Sequence, residues 1–433
     1  GNGFELYLVG GAVRDGILDI PTNDFDFTTN ATPEESIELL KKNNYKTTEV
    51  GKAFGTIELY DQERVVHITT FRKDTYETDS RNPEIEKASD LVTDLSRRDF
   101  TINSIAYSLE TNELIDPFSG LKDLASGTIS TPDDPIISFS DDPLRMLRVC
   151  RFASTHGFSP DNETYIAMKE NIERIKIITK ERIRDEINKL LVGKSPSMGI
   201  RTLVESGLSL YIIPEINELK IEVDPKHHHK DVYEHTLAVL DGVPPKLTLR
   251  MGALLHDIAK PNTKGIENGK VHFRHHEVVG ARMTKKILKG LKYDNKTIED
   301  IALLVEQHLR PHTFKMGWTD SAVRRYIVDA GHMLEDLNEL VRADVTTKNK
   351  IKAKEIYENL DEMEKRIEEV KAKEELSKIR PALSGDEIME HFNIQPGPKV
   401  GVIMKALYEQ RINDGEVSKE DALKLAEETY KNL

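Results

Sequence analysis

The sequence predicts an α+β amino-terminal head, a small mixed sheet with helices. An all-α neck and body, a histidine-rich helical module and a helical tail follow it. Three observations predict this. β-like runs and helices alternate over residues 1–125, and from about Asp141 the pattern is helical to the end. At 433 residues the chain is too long for one core and should divide into about two to four domains. The expected boundaries are a head over 1–125, a neck and body over 126–215, the histidine-rich module over 227–350 and a charged helical tail over 351–433.

The head opens with a short apolar strand, Glu5–Val9, a Gly10-Gly11 turn and a helix carrying Arg14. A second short strand presents Asp24 and Asp26. Thr32-Pro33-Glu34-Glu35 is a capping box with proline at the first helical position, opening a helix to about Asn43. Tyr45–Val50, Gly55–Tyr60 and Arg64–Thr70 read as strands, the last rich in β-branched residues. Residues 71–96, polar and containing Arg81-Asn82-Pro83, read as a long loop. Further on, Leu144, Leu147, Arg148, Arg151 and Phe152 recur at helical spacing. Glu181–Leu191 and Pro196–Ser206 repeat that pattern, Gly207 is the expected stop, and Pro214–Lys226 reads as a linker.

Composition is that of an ordinary globular protein, 31% charged and 6% aromatic. No run of apolar residues is long enough for a membrane helix. No N-terminal targeting segment is expected, and the expected compartment is the cytoplasm. The single cysteine, Cys150, lies in an apolar helical stretch and is expected to be a buried thiol. A net charge of −14 argues against indiscriminate nucleic-acid binding. Basic residues are nevertheless dense at Arg145, Arg148 and Arg151, then at Lys176, Lys180, Arg182 and Arg184, so a positive groove on an acidic body is expected.

Residues two apart on a strand point the same way, so Asp24 and Asp26 share one face and Phe25 the other. Paired carboxylates on a rigid strand suit Mg²⁺, a hard ion that also binds phosphates. Two such ions can clamp the attacking and leaving oxygens of an in-line displacement. A third ligand is left open: in VVHITTFR, His67 is the first place to look and Glu58 a weaker substitute. Arg72 reads equally well as a phosphate contact or a surface arginine.

The motif GG-x-VRD followed by DFDFTTNATPEE resembles the opening of the class II tRNA nucleotidyltransferases and bacterial poly(A) polymerases. The resemblance continues through RRDFTIN at Arg97–Asn103, DPFSGLKDL at Asp116–Leu124 and DDPLRMLRVCRF at Asp141–Phe152, over most of residues 3–215. It implies that the Gly10-Gly11 backbone approaches a triphosphate, with Arg14 pairing its charge. Arg98 and Asp99 resemble a ribose-recognising pair, although Asp99 also reads as a helix N-cap. Asn103 is expected to brace the loop, and Asp116–Asp123, with Gly120 as pivot, to be a hinge or a plain turn. Asp142 and Arg145, expected on one helix face, take the base-reading role, with Arg148 and Arg151 nearer primer or phosphates. Asp141 stands where the family pattern has glutamate.

His235, the His256-Asp257 dyad, His276, His308 and Asp344 form a second ordered set. They resemble the HD-domain metal-dependent phosphohydrolases over about residues 230–346. The resemblance implies a divalent ion there, Mn²⁺, Ni²⁺, Fe or Mg²⁺, in an active or a purely structural role. His227, His228, His229 and His275 are expected at the surface.

The resemblances together imply a template-independent enzyme adding C, C and A to tRNA 3′ ends from CTP and ATP, with Mg²⁺ at the first site. Adenine-only addition and poly(A) synthesis are the near alternatives, and phosphohydrolysis as the main activity the distant one. Partners expected are the tRNA 3′ end, CTP and ATP, with no membrane and no DNA.

Overall fold

The structure is a computed structural model that describes residues 3–48, 51, 55–61, 64–75, 84–221, 231–268, 270–347, 349–373 and 380–433. The chain forms two compact units, Gly1–Lys220 with Ile287–Tyr293, and Ile221–Lys286 with Asp294–Leu433.

In the first unit, β1 (Leu6–Val9) leads through α1 (Gly11–Ile17) to β2 (Phe25–Thr29). The Thr32 capping box then opens α2 (Pro33–Lys42), with Glu35 Oε2 accepting the Thr32 N–H at 2.8 Å. β3 (Lys46–Thr48), β4 (Thr56–Asp61), β5 (Arg64–Thr70), β6 (Arg72–Thr75), β7 (Glu84–Lys87) and α3 (Leu91–Ser96) follow, then β8 (Ala106–Ser108) and β9 (Leu114–Ile115). Seven strands pair in the order β3-β4-β5-β2-β1-β8-β9. The sheet is mixed as expected, β2–β5 being its parallel pair. Val9, Phe71, Leu91, Leu95 and Ala106 form the core against it.

Residues 71–96 depart from the expected loop. β6 and β7 pair as an antiparallel hairpin, and α3 begins where Asp90 accepts the Thr93 N–H at 2.9 Å. Leu91 and Leu95, four apart, bury one face of α3 in the core. Residues 76–83, with Arg81-Asn82-Pro83, lie outside the described residues, as do Glu49 and Val50 of the expected strand Tyr45–Val50.

After α4 (Gly120–Ser126), the expected helix around Asp141 is two helices, α5 (Pro135–Asp141) and α6 (Leu144–His156). Pro143 disfavours helical geometry in the residue before it, and Asp142 is extended at φ −129°, ψ 95°. Asp142 and Arg145 therefore do not share a helix face. The Asp142 carboxylate instead accepts the Leu144 N–H at 3.2 Å, at the start of α6. α7 (Asn162–Glu170), α8 (Lys180–Leu191) and α9 (Pro196–Glu205) follow, with Gly207 at φ +87° past the end of α9. Cys150 is buried in α6. α10 (Ser209–Ile212) comes next, and α11 (Glu215–Glu218) occupies part of the expected linker Pro214–Lys226, because Ile216 and Leu219 are buried; residues 222–226 of that linker lie outside the described residues.

The second unit contains α12 (Val232–Gly242), α13 (Leu247–Leu255), α14 (Lys260–Thr263), α15 (His276–Gly290) as far as Lys286, α16 (Asn295–Gln307), α17 (Asp320–Ala330) and α18 (Leu334–Ala343). One antiparallel hairpin, Lys264–Glu267 with Lys270–Phe273, interrupts the expected all-helical pattern. His227, His228 and His229 lie outside the described residues, while His275 is exposed as expected. The tail carries α19 (Lys350–Lys373), α20 (Gly385–Phe392), α21 (Pro398–Asp414) and α22 (Lys419–Lys431). The last three bury their own cluster of Leu383, Ile388, Ile403, Leu407 and Ala426. Among the described residues, no helix is long and apolar enough to cross a membrane.

Candidate active site and histidine cluster

Sheet register assembles the first site. Asp26 on β2 stands opposite Val9 on β1 and His67 on β5, and His67 stands opposite Glu58 on β4. His67 Nδ1 lies 3.4 Å from Asp26 Oδ1 and 3.7 Å from Asp24 Oδ1. These two oxygens and one nitrogen are close enough to hold a single ion. Burial, then the charge of Asp24, raises the pKa of Asp26. Gly10 has φ +70°, and a Cβ there would sit 3.2 Å from Arg98 Nη1. Glycine is what lets backbone, carboxylate and guanidinium meet at this corner.

A cavity of about 270 Å³ opens here, lined by Gly10, Gly11, Asp26, Arg72, Arg97, Arg98, Asp99, Asn103, Asp142, Arg145 and Arg148. Its walls carry five arginines against three aspartates, a balance suited to a polyanion. Asp99 does not cap a long helix. Its Oδ1 accepts from Phe100 N and Asn103 Nδ2, both at 2.9 Å, and its Oδ2 pairs with Arg148 Nη2 at 2.5 Å. Burial opposes ionisation of Asp99, but Arg148 and the Asn103 amide outweigh it and lower its pKa. Arg145 donates to Ser138 Oγ at 2.6 Å and to the Arg97 carbonyl at 2.5 Å.

Arg14 and Arg151 stand outside this lining. Arg14 Nη1 donates to Asn103 Oδ1 at 2.7 Å, and its guanidinium lies over the Phe152 ring. Arg151 pairs with Glu186 at 3.1 Å and lies over the same ring. Asp24 is the exposed member of the carboxylate pair. Asp116 accepts from Gly120 N and Leu121 N at 2.7 and 2.9 Å, opening α4.

In the second unit all six expected residues meet, mostly at helix ends. His235 projects from α12, His256 ends α13, His276 begins α15, and His308 and Asp344 end α16 and α18. Asp257 joins two groups of possible ligands, one with His235 and His256, the other with His276 and His308. His256, His276 and His308 each bond through Nδ1 to the carbonyl three residues earlier, at 2.8, 2.8 and 2.7 Å. With a proton on Nδ1, each Nε2 lone pair faces the cluster. Asp257 Oδ1 and His276 Nε2 are buried 3.2 Å apart, and neither has a hydrogen-bond partner among the described residues. That pairing of two acceptors fits a cation between them. Burial disfavours the charge on His256, yet Asp257 and Asp344 outweigh it and raise its pKa; burial and His256 lower that of His308.

Three family models match the chain: the poly A polymerase head domain over residues 6–130, a probable RNA and SrmB-binding site of polymerase A over 157–220, and the HD domain over 227–344. A CCA-adding enzyme of Geobacillus sp. (strain WCH70) is 30% identical over 96% of this chain and 90% of its own length. The chain belongs to the tRNA nucleotidyltransferases. An A-adding tRNA nucleotidyltransferase of Deinococcus radiodurans is also 30% identical, over 93% of this chain and 91% of its own. The fold agrees: the Bacillus stearothermophilus CCA-adding enzyme in complex with CTP superposes with TM-score 0.70 at 24% identity, covering 99% of this chain and 94% of that one. The protein is an enzyme, a tRNA nucleotidyltransferase.

Asp94 is the residue of this nucleotidyltransferase that sequence reasoning missed. Fully buried on α3, it accepts from Thr28 Oγ1 at 3.1 Å, from Arg72 N at 3.3 Å and from Arg98 Nη2 at 3.4 Å. An acid three and four residues before two arginines, Asp94-x-x-Arg97-Arg98, was the available signal. His312 was also passed over; its Nε2 lies 3.3 Å from Asp344 Oδ2.

Proposed function

We propose that the chain adds C, C and A to tRNA 3′ ends, taking CTP and ATP in one cavity and using Asp24 and Asp26 as ligands for Mg²⁺. One observation carries the reading: Asp26, Asp99, Asp142, Arg145 and Arg148 line a single cavity together with the Gly10-Gly11 turn. A bound divalent ion supplies Lewis acidity at the α-phosphate and favours the deprotonated primer hydroxyl. The chain's own residues do the rest. Arg72, Arg97 and Arg98 neutralise the triphosphate and the departing pyrophosphate. Asp99, held ionised by Arg148, accepts from a ribose hydroxyl. Asp142 offers an acceptor and Arg145 donors to a base edge, so selection needs no nucleic-acid template. Arg14 braces Asn103, which in turn holds Asp99. Arg151 steadies α6 against Glu186.

Relatives support the substrate classes: solved CCA-adding enzymes of this fold include complexes with CTP, with ATP and with tRNA_CCA. A cytoplasmic location belongs to the reading, because tRNA and both nucleotides are found there. So does a working division into a head over 1–125, a neck and body over 126–215, an HD-type module over 227–350 and a tail over 351–433. Adenine-only addition is the second reading, favoured by the equal identity to the Deinococcus radiodurans A-adding enzyme. The HD-type cluster, with Asp257 central to two ligand groups, is suited to a divalent transition ion and phosphoester hydrolysis as a separate activity.

Incorporation from labelled CTP and ATP into tRNA transcripts ending before CCA, after C and after CC tests the reading. Three residues in the order C, C, A are expected. Adenosine added only after CC selects the second reading, and long adenosine tails sink both.

A further inference from the structure

We propose that His67 is a third metal ligand of the nucleotidyl-transfer site, binding through Nδ1 beside Asp24 and Asp26. The site is then a set of two oxygens and one nitrogen that favours a first-row transition ion such as Mn²⁺ over Mg²⁺. The inference rests on the reading of Asp24 and Asp26 as metal ligands, adds a nitrogen to it, and thereby changes the preferred ion from the Mg²⁺ of that reading to Mn²⁺.

The sheet makes the placement. Asp26, His67 and Glu58 form one cross-strand row, fixed by the parallel β2–β5 and antiparallel β4–β5 registers. Nδ1 faces both aspartates at 3.4 and 3.7 Å. Ligands about 2.1 Å from a shared ion stand roughly 3.0 to 3.4 Å apart, depending on the angle between them. Small side-chain adjustments therefore close the set.

The other face of the ring is also prepared. Glu58 Oε2 accepts from Thr48 Oγ1 at 2.9 Å and from Tyr60 Oη at 3.1 Å. Its second oxygen, Oε1, is turned towards His67 Nε2 at 3.8 Å. Closing that gap to a hydrogen bond would place the proton on Nε2 and leave the Nδ1 lone pair for an ion, the carboxylate–histidine–metal arrangement of many metal sites. Hard Mg²⁺ takes oxygen in preference to imidazole, whereas transition ions gain from the nitrogen.

Anomalous diffraction from crystals of the full chain with Mn²⁺ tests this by position, so that ions at the HD-type cluster do not confuse the result. The expected map has a Mn²⁺ peak bonded to Asp24, Asp26 and His67 Nδ1. His67→Leu should weaken Mn²⁺ binding at that position roughly tenfold. His67→Glu, an all-oxygen set, should shift the ratio of Mn²⁺ to Mg²⁺ half-saturation towards Mg²⁺. An ion on the two aspartates with the His67 ring turned away, or unchanged binding in His67→Leu, overturns the proposal. If no ion lies on Asp24 and Asp26, their reading as ligands falls with it, and the empty position tells the two failures apart.

Discussion

Asp94 accepts both the Nε and the Nη2 N–H groups of Arg97 on a single carboxylate oxygen, at 3.0 and 2.9 Å. With Arg98 on its other oxygen, this acid ties two arginines of the cavity wall to the sheet. Replacing Asp94 by Ala removes the buried carboxylate that these two guanidiniums share and should cost about 3 kcal/mol. KM for the nucleotide should rise as well. Urea unfolding and steady-state kinetics measure the two effects; an unchanged stability would sink the assignment.

Asp94 also sets a pH dependence. Burial opposes its ionisation, but Arg97 and Arg98 outweigh burial and bring its pKa below the ordinary 3.8. Because the folded value is the lower one, the stabilisation is present in full above pH about 3.8 and is lost as pH falls through the folded value. Asp94→Asn should therefore lose less stability than the parent chain between pH 6 and about pH 3. Parallel losses would place the acid sensitivity elsewhere.

Gly120 meets its neighbours too closely to accept a side chain. A Cβ there would stand 2.2 Å from the Thr101 carbonyl oxygen and 2.8 Å from its carbon, both backbone atoms. Gly120→Ala should destabilise by about 1–3 kcal/mol or more, because backbone has to shift. Guanidinium unfolding with an unchanged m-value is the expected signature. A neutral result would restore the reading of this segment as an adaptable hinge.

The base-reading role proposed for Asp142 and Arg145 can be tested by separating selection from turnover. Asp142→Ala should relax discrimination among the four nucleoside triphosphates by roughly tenfold or more, the worth of one or two lost hydrogen bonds. Competition between CTP, ATP, UTP and GTP on one tRNA transcript reads this directly. A uniform fall in rate with selectivity intact would remove the base-reading role.

The histidine cluster predicts bound metal. His276→Ala removes the Nε2 that lies 3.2 Å from Asp257 Oδ1. Metal per chain, measured by mass spectrometry after gel filtration, should fall, and the melting temperature with it, since an ion bound only by the folded state stabilises that state. Equal metal content in parent and variant would mean that the cluster does not hold it.

Local chemistry made much of this legible. The Thr32 capping box could be read from short-range pattern, and so could the closeness of Asp26 on β2 to Asp24, which stands just before that strand rather than on it. The six residues of the histidine cluster were legible through their resemblance to the HD-domain proteins. The 71–96 segment could not, because its polar surface residues outnumber the few apolar ones that anchor it. Leu91 and Leu95 are only two positions, and their burial depends on Val9 and Phe71 being there to receive them. The break at Asp142 was readable from Pro143, but the arginine periodicity that follows masked it.

What the sequence by itself determined is periodicity, caps and residue chemistry, since each rests on interactions a few residues apart. Tertiary structure alone decided the partners. His67 comes to face Asp26 because β2 and β5 pair in parallel with that one register. Arg14 turns onto Asn103, 89 residues away, and Asp94 gathers Thr28, Arg97 and Arg98. A strand shifted by one residue would send every one of its side chains to the opposite face. Which acid meets which base is therefore a property of register and packing across the whole fold.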